Sequence, residues 1–286
     1  MKSSMDDAPE QAGRTFGSAG FSSSSIASLL KNQAVYDVRV LDSVDSTNSF
    51  ARNLAHEGAP EGTVVIAEEQ TKGRGRRGHS FHSPAGTGLY MSIVLRPSIA
   101  PFQAYLLTCM AAVAVSRAAD RVCGCRTSIK WVNDVFLGQR KIAGILTEGS
   151  SRSDGERFEY AIVGMGVNVS DPAEGWPDDV LNRAGSLGVD STTCDVRGVL
   201  AAAILDEFWR LYEKLPEDTF HEEYRDRCFV LGSSVSVSTD GGILSGVAVD
   251  LDDEYRLVVE TPEGELRAFS NGERLDAAAF DLVKES

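Results

Sequence analysis

Thr63-Val-Val-Ile-Ala67, Lys72-Gly73-Arg-Gly-Arg-Arg-Gly78 and Gly88-Leu-Tyr-Met-Ser-Ile-Val-Leu95 follow one another within a single stretch of the chain. The two outer segments are compact apolar runs of strand length, the second ended by Pro97, and they read as buried strands. About twenty polar, glycine-rich residues separate them. That is long for a structureless connection inside a compact domain, which points to function or disorder. Alternating glycines let the backbone adopt φ > 0 and approach a ligand closely, and neighbouring guanidiniums can clamp phosphate oxygens bidentately. A solvated basic loop or an arginine-rich nucleic-acid patch would carry the same hexamer. Its place between two core strands favours an anionic small molecule.

Working outward, Tyr36-Asp-Val-Arg-Val-Leu41 alternates as a strand does, and Asp45-Ser46 offers an N-cap to a short helix bearing Phe50 and Leu54 and closed by Gly58. Ala104 to Ala119 is apolar nearly all round and reads as a buried helix. Ser128 to Leu137 and Arg140 to Thr147 read as two strands joined by a tight hairpin at Gly138-Gln139. Tyr160 to Val169 reads as a further strand, and Val199 to Leu215 as an amphipathic helix. From about Val230 the texture shifts to short strands between Asp240-Gly-Gly242, Asp252-Asp-Glu254 and Pro262-Glu-Gly264, which predicts a small β-barrel of roughly 55 residues. The expected organisation is a flexible Ser/Gly-rich tail over 1–33, a catalytic α+β domain over 34–227 and a small β domain over 228–286.

The chain has 286 residues, with 28 Lys and Arg against 42 Asp and Glu, a formal charge of −14. Such a surface repels nucleic acid, so a DNA partner is not expected. Five cysteines without Cys-x-x-Cys spacing read as free thiols of a reducing cytoplasm. No stretch reaches the ~18 apolar residues of a membrane span, and the N-terminus is not a secretory signal.

Three further motifs carry chemistry. Lys130-Trp-Val-Asn-Asp134 and Arg140-Lys141-Ile-Ala-Gly144 lie on paired strands, where Lys141 beside Ile142 and Ala143 requires an anionic partner. Gly144, Gly164 and Gly166 are strand glycines, which mark either tight packing or ligand approach. Asp45-Ser-Thr-Asn48 by itself is explained by helix capping.

Taken together, Ser46-Thr-Asn48, Gln70, Gly73 to Gly78, Lys130 to Asp134, Arg140 to Gly144 and Val163-Gly-x-Gly166-x-Asn168 resemble, in order, the motifs of biotin–protein ligases. The resemblance runs from about residue 36 to the C-terminus. It implies a mixed sheet flanked by helices with a small C-terminal SH3-like β-barrel, and a monofunctional member without an N-terminal DNA-binding domain. It implies an enzyme that forms biotinyl-5'-AMP from biotin and Mg-ATP, then passes biotin to a lysine of a biotin carboxyl carrier protein. Carried over residue by residue, Ser46, Thr47, Asn48, Gln70, Arg74, Gly75, Arg76, Lys141, Gly144, Gly164 and Gly166 would surround biotin, with Lys141 and Arg76 serving the chemistry. Arg77, Gly78, Phe81, Lys130, Asn133 and Asn168 would face ATP, and Asp134 would meet Mg²⁺. Val132 stands where the family usually has Pro, and Phe81 where some members have a Trp on adenine. Members of the family often pair through sheet edges, so the resemblance allows a homodimer. The rival readings are a lipoate or octanoate ligase on a related fold, and a non-catalytic biotin-sensing regulator.

Overall fold

Strand β3 (Gly88–Leu95) is buried at every position, which requires cover on both faces of its sheet. In a computed structural model, which describes residues 21–189, 196–239, 242–270 and 274–277, it is the third strand of a seven-stranded mixed sheet. The other strands are β1 (Asp37–Val44), β2 (Thr63–Gln70), β4 (Ser128–Lys130), β5 (Asp134–Leu137), β6 (Arg140–Ser151) and β7 (Phe158–Asn168). Their order is β1-β2-β3-β7-β6-β5-β4. Only β1 and β2 pair in parallel, across a helical crossover, and the remaining pairs are antiparallel.

The period-2 alternation divides the side chains between two faces. On one face Val64, Ile66, Leu89, Met91, Ile93, Val163, Met165 and Val167 meet the main core, covered by α1 (Ser23–Leu29), α3 (Ala104–Cys123) and α4 (Val196–Tyr212). On the other, Val65, Val94 and Ile162 pack under Ala51 and Ala55 of α2 (Thr47–His56). Helix α2 covers only part of that face. Beyond its N-terminus Tyr90, Ser92, Gly144, Leu146, Gly164 and Gly166 share the face, because Gly166 pairs with Tyr90 and Gly144 while Gly164 pairs with Ser92 and Leu146. This strip is where the ligand-type motifs converge.

Helix α5 (His221–Arg227) leads to a five-stranded antiparallel, SH3-like sheet of β8 (Ser234–Thr239), β9 (Gly242–Leu251), β10 (Leu257–Glu260), β11 (Leu266–Phe269) and β12 (Arg274–Ala277), in the order β11-β10-β9-β8-β12. Trp131 Nε1 donates to the Tyr255 carbonyl at 2.8 Å, tying this sheet to the larger one.

Three sequence expectations need correction. Residues 21–33 are not tail: Ser22 caps α1 through the Ser25 amide, and Ile26 and Leu30 are buried in the main core. Residues 1–20 lie outside the described residues, as does Cys194; the other four cysteines are free thiols. The run Ser128 to Leu137 is two short strands, β4 and β5, folded back on each other at Trp131-Val-Asn133, where the Trp131–Val132 peptide is cis. Finally, the helix Pro101–Cys123 does have the length and apolarity of a membrane span, but 72% of its apolar window is buried inside the protein. Its apolarity serves the core, and Gly124 at φ +68° ends it.

Candidate active site

The strip of sheet beyond α2 forms the floor of a cavity of about 50 Å³. Ser46, Thr47, Asn48, Gln70, Arg74, Gly75, Arg76, Phe81, Asn133, Lys141, Gly144, Gly164 and Gly166 all line it, although their positions span some 120 residues of sequence. Tyr90, Met91, Ile145, Leu146 and Met165 join them.

One end of the cavity is a hydrogen-bonding corner. Ser46 is the N-cap residue of α2, but its hydroxyl caps no backbone N–H. The capping explanation therefore does not account for this side chain, which is buried against the cavity. Gln70 Oε1 accepts from the Thr47 amide at 2.9 Å and lies 3.1 Å from its hydroxyl. Gln70 Nε2 donates to Ser83 Oγ at 2.9 Å, and Ser83 donates in turn to the Phe81 carbonyl at 2.9 Å. The C-terminal end of the glycine-rich segment is thereby fastened to the glutamine that precedes the segment.

That segment is hydrogen-bonded on itself. Gly75 N–H donates to His79 O at 2.7 Å and Phe81 N–H to Gly73 O at 2.9 Å, which closes a narrow loop. Arg77 at its tip takes φ +55°, a left-handed conformation uncommon outside glycine. Two of the loop cations have partners within the site. Arg74 grips Glu148 bidentately at 2.7 and 3.1 Å, and Arg76 Nη1 donates to Asn133 Oδ1 at 2.9 Å. Burial, and next to it the charge of Arg77, holds the Arg76 guanidinium below its ordinary value.

The glycine floor serves close packing. A Cβ on Gly164 would lie 2.1 Å from Asn48 Oδ1, and one on Gly166 would lie 2.7 Å from the Phe81 ring. On Gly144 it would stand 3.2 Å from Lys141 Nζ. Phe81 therefore lies across the floor, edge-on to Tyr90 with ring centroids 6.4 Å apart.

Lys141 meets its anionic partner in Asp134, with Nζ 2.7 Å from Oδ1, and its backbone is pinned by Arg183 and Gly185. Asn133 Nδ2 donates to Asp134 and to Ile145 O, each at 3.0 Å. Tyr224 of α5, fully buried, donates to the Val132 carbonyl at 2.9 Å. The turn that carries Asn133 is thus held from outside the sheet.

Not every residue singled out in the sequence reaches the cavity. Arg77 and Gly78 are exposed at the loop tip. Lys130 faces Asp134 across the β4–β5 pair and does not line the cavity. Asn168 is buried, donating to Gly185 O at 2.9 Å, and anchors the 185–187 segment. Asp134 stands just behind Lys141, and no group of three His, Cys, Asp or Glu gathers among the described residues. Besides the lining residues Tyr90, Met91, Ile145, Leu146 and Met165, two polar residues behind the cavity were missed. Ser92 is the one serine in apolar β3, and Glu148 follows Gly144 and Leu146 on the same face of β6; both were detectable from strand alternation.

The biotin/lipoate A/B protein ligase family model matches residues 40–168, and that of the biotin protein ligase C-terminal domain matches 230–273. The bifunctional ligase/repressor BirA of Bacillus spizizenii is 36% identical over 235 residues, covering 80% of this chain and 71% of the relative. The biotin–[acetyl-CoA-carboxylase] ligase of Paracoccus denitrificans is 33% identical over 240 residues, covering 79% of this chain and 95% of the relative. The biotin protein ligase of Aquifex aeolicus, solved in complex with biotin and ATP, superposes with a TM-score of 0.69 at 28% identity, over 85% of this chain and 99% of that one. The chain belongs to the biotin/lipoate A/B protein ligase family.

Proposed function

We propose that the chain is an ATP-dependent biotin–protein ligase. The observation that carries this reading is the two-ended cavity: hydroxyls and an amide at Ser46, Thr47 and Gln70, and the cations of Arg74, Arg76 and Lys141, all around one glycine floor. A cyclic urea with an acyl arm ending in a carboxylate matches both ends. The similarity to ligases solved with biotin and ATP supports the same assignment.

The reaction runs in two displacements. A biotin carboxylate oxygen bonds to the α-phosphorus of ATP while the bond to the bridging β-oxygen breaks, and pyrophosphate leaves. A neutral lysine amine of a biotin carboxyl carrier domain then bonds to the acyl carbon. The acyl–oxygen bond breaks, AMP departs and the amine loses a proton. No enzyme nucleophile is required. Lys141 and Arg76 stabilise the charge that builds on the α-phosphoryl oxygens. The Gly73–Gly78 loop covers the mixed anhydride and keeps water from it. Magnesium enters as part of Mg-ATP. Asp134, which pairs with Lys141 at 2.7 Å, would hold the ion together with substrate phosphates, as suits a cation that takes one or two carboxylates, and the ion would supply positive charge at the phosphoryl oxygens. The acidic surface, at −14, disfavours DNA as a partner.

The test is pyrophosphate release by the full chain with ATP and either biotin or lipoate, followed by mass measurement of a carrier domain. Release that depends on biotin, with biotin added to the carrier, is expected. Faster release with lipoate or octanoate would move the assignment to the other branch of the family, and release with neither acid would overturn it.

A further inference from the structure

We propose that the main-chain N–H of Asn133 is a further binding group of the site, directed at the α-phosphoryl oxygens, and that Tyr224 is the positioning residue that aims it. The proposal rests on the ligase reading, which supplies the phosphoryl group.

Asn133 lines the cavity together with the two cations assigned to its phosphoryl end. Its Oδ1 accepts from Arg76 Nη1 at 2.9 Å. Its Nδ2 donates to Asp134 Oδ1, the oxygen that Lys141 Nζ meets at 2.7 Å. The second hydrogen on Nδ2 goes to Ile145 O at 3.0 Å, and the Asn133 carbonyl accepts from the Ile145 N–H at 2.8 Å. A side-chain amide has two hydrogens to give, so both are spent inside the protein, and the carbonyl is engaged as well. What Asn133 has left for a ligand is its main-chain N–H, and among the described residues nothing accepts from it.

The direction of that N–H follows from its peptide unit. The Val132–Asn133 peptide is trans, so its N–H points opposite to the Val132 carbonyl. That carbonyl accepts from the Tyr224 hydroxyl at 2.9 Å. Tyr224 is fully buried in the main core, edge-on to Tyr255, on the face of the sheet that α3 covers. The carbonyl therefore points into the core, and the N–H points toward the opposite face, where the cavity lies. There it joins the Arg76 guanidinium and the Lys141 ammonium as a third fixed donor at the place where charge builds on the phosphoryl group. Without the Tyr224 hydroxyl, the Val132 carbonyl would be a buried acceptor lacking its donor. Rotation of the peptide toward the cavity relieves it. The bonds to Ile145 lie on the side chain and carbonyl of Asn133, beyond this peptide, and do not oppose the rotation. The cavity would then turn a carbonyl oxygen toward an anion.

Single-turnover adenylate formation by the full chain at saturating ATP and biotin tests this, alongside biotin titration and melting temperatures. Tyr224→Phe keeps the ring and removes only the hydroxyl. It should slow adenylate formation by about tenfold or more, the scale of one hydrogen bond to a charged group, while the dissociation constant for biotin stays within about twofold. A chain carrying the α-hydroxy analogue of asparagine at position 133 replaces the N–H by an ester oxygen and should be slowed to the same degree. Tyr224→Phe on top of the ester should add less than about threefold, because both changes act through one donor. Ile26→Val, a core change on α1, should lower the melting temperature without slowing adenylate formation. The ester chain decides the matter if Tyr224→Phe fails to fold. A rate within about twofold of wild type in Tyr224→Phe or in the ester chain, additive losses in the pair, an equal loss of biotin affinity, or a matching loss of rate in Ile26→Val overturns the assignment. A wild-type chain that forms no adenylate from biotin sinks the functional reading instead.

Discussion

Replacing Gly164 by alanine tests whether the floor of the site is built around Asn48. The new Cβ would stand 2.1 Å from Asn48 Oδ1 and 2.8 Å from its Cγ. Asn48 must therefore retreat by roughly 1 Å to reach ordinary contact. It is fixed by bonds of 2.7 Å to Ser92, 2.9 Å to Glu148 and 3.2 Å to Leu146. Two neutral bonds at ~1 kcal/mol and one to a charged group at ~1.5 kcal/mol give a loss of about 3.5 kcal/mol. At ~2–4 °C per kcal/mol for chains of this size class, the melting temperature should fall by about 7 to 14 °C. Biotin affinity should fall with it, because Thr47 and Gln70 adjoin the displaced amide. Gly198→Ala gives the opposite control: in α4 its Cβ meets only Ile26 at 3.7 Å, so a helix residue gains intrinsic propensity and stability should rise by up to ~1 kcal/mol. Scanning calorimetry and biotin titration measure both. A Gly164→Ala melting temperature within about 2 °C of wild type, with biotin binding intact, would show that Asn48 does not define the floor.

Lys141→Gln should slow adenylate formation by about a hundredfold while transfer from supplied biotinyl adenylate suffers less, since one preorganised donor at the phosphoryl group is lost. Its pair with Asp134 is partly exposed, at 31% and 24%, so stability should change by less than ~1 kcal/mol; equal slowing of both half-reactions in single-turnover assays would make Lys141 a general binding residue. Arg76→Gly removes the bond from the loop to Asn133 and should let the adenylate escape, raising the ratio of bystander to carrier labelling; an unchanged ratio would show that Arg76 is not a latch. Acid should loosen the α3–α4–α5 junction. Burial raises the carboxyls of Glu207 and Glu223, but Arg210 and Arg121 on the first, and Arg117 and Arg227 on the second, outweigh it and hold both below 4.5. A lowered folded-state value contributes stability above the unfolded value and loses it as pH falls through the folded one, so the melting temperature should drop below pH ~4.5, with a shallower slope in Glu207→Gln; parallel slopes would remove this network from the explanation.

The elements legible in the sequence were those whose causes are local. β3 matches the apolar run Gly88–Leu95, the hairpin turns at Gly138 with φ +57°, and α3 covers the apolar segment and ends at a glycine. The motif residues that line the cavity lie within or at the ends of elements that border the uncovered strip of sheet. What escaped the reading depends on distant partners. Trp131-Val-Asn133 contains no glycine or proline to announce a turn, and it is held there by Tyr224 and Tyr255, about ninety and more residues further on. Helix α5 has a charged sequence, and ion pairs from Arg117 and Asp120 of α3 secure it. Glu148 reads as an ordinary strand-end acid until Arg74 and Asn48, 74 and 100 positions away, are brought to it. Helix α1 hides in a serine run because a single residue, Ile26, supplies its buried contact.

Phe81, lying across Gly166 and Gly144, makes the protein its own competitor. A cavity of about 50 Å³ is far smaller than the ~300–1,000 Å³ that small-molecule sites usually offer, so the resting pocket is occupied by a tethered aromatic ring. Any ligand reaching the floor must first find the ring withdrawn. Its measured affinity is then the intrinsic affinity multiplied by the fraction of molecules in which the ring has moved. If that fraction were one in a hundred, the site would bind a hundredfold more weakly than its contacts alone dictate. The ring thus acts as a threshold, and the free-ligand concentration at which the site fills is set by the stability of one aromatic contact as well as by the groups that recognise the substrate.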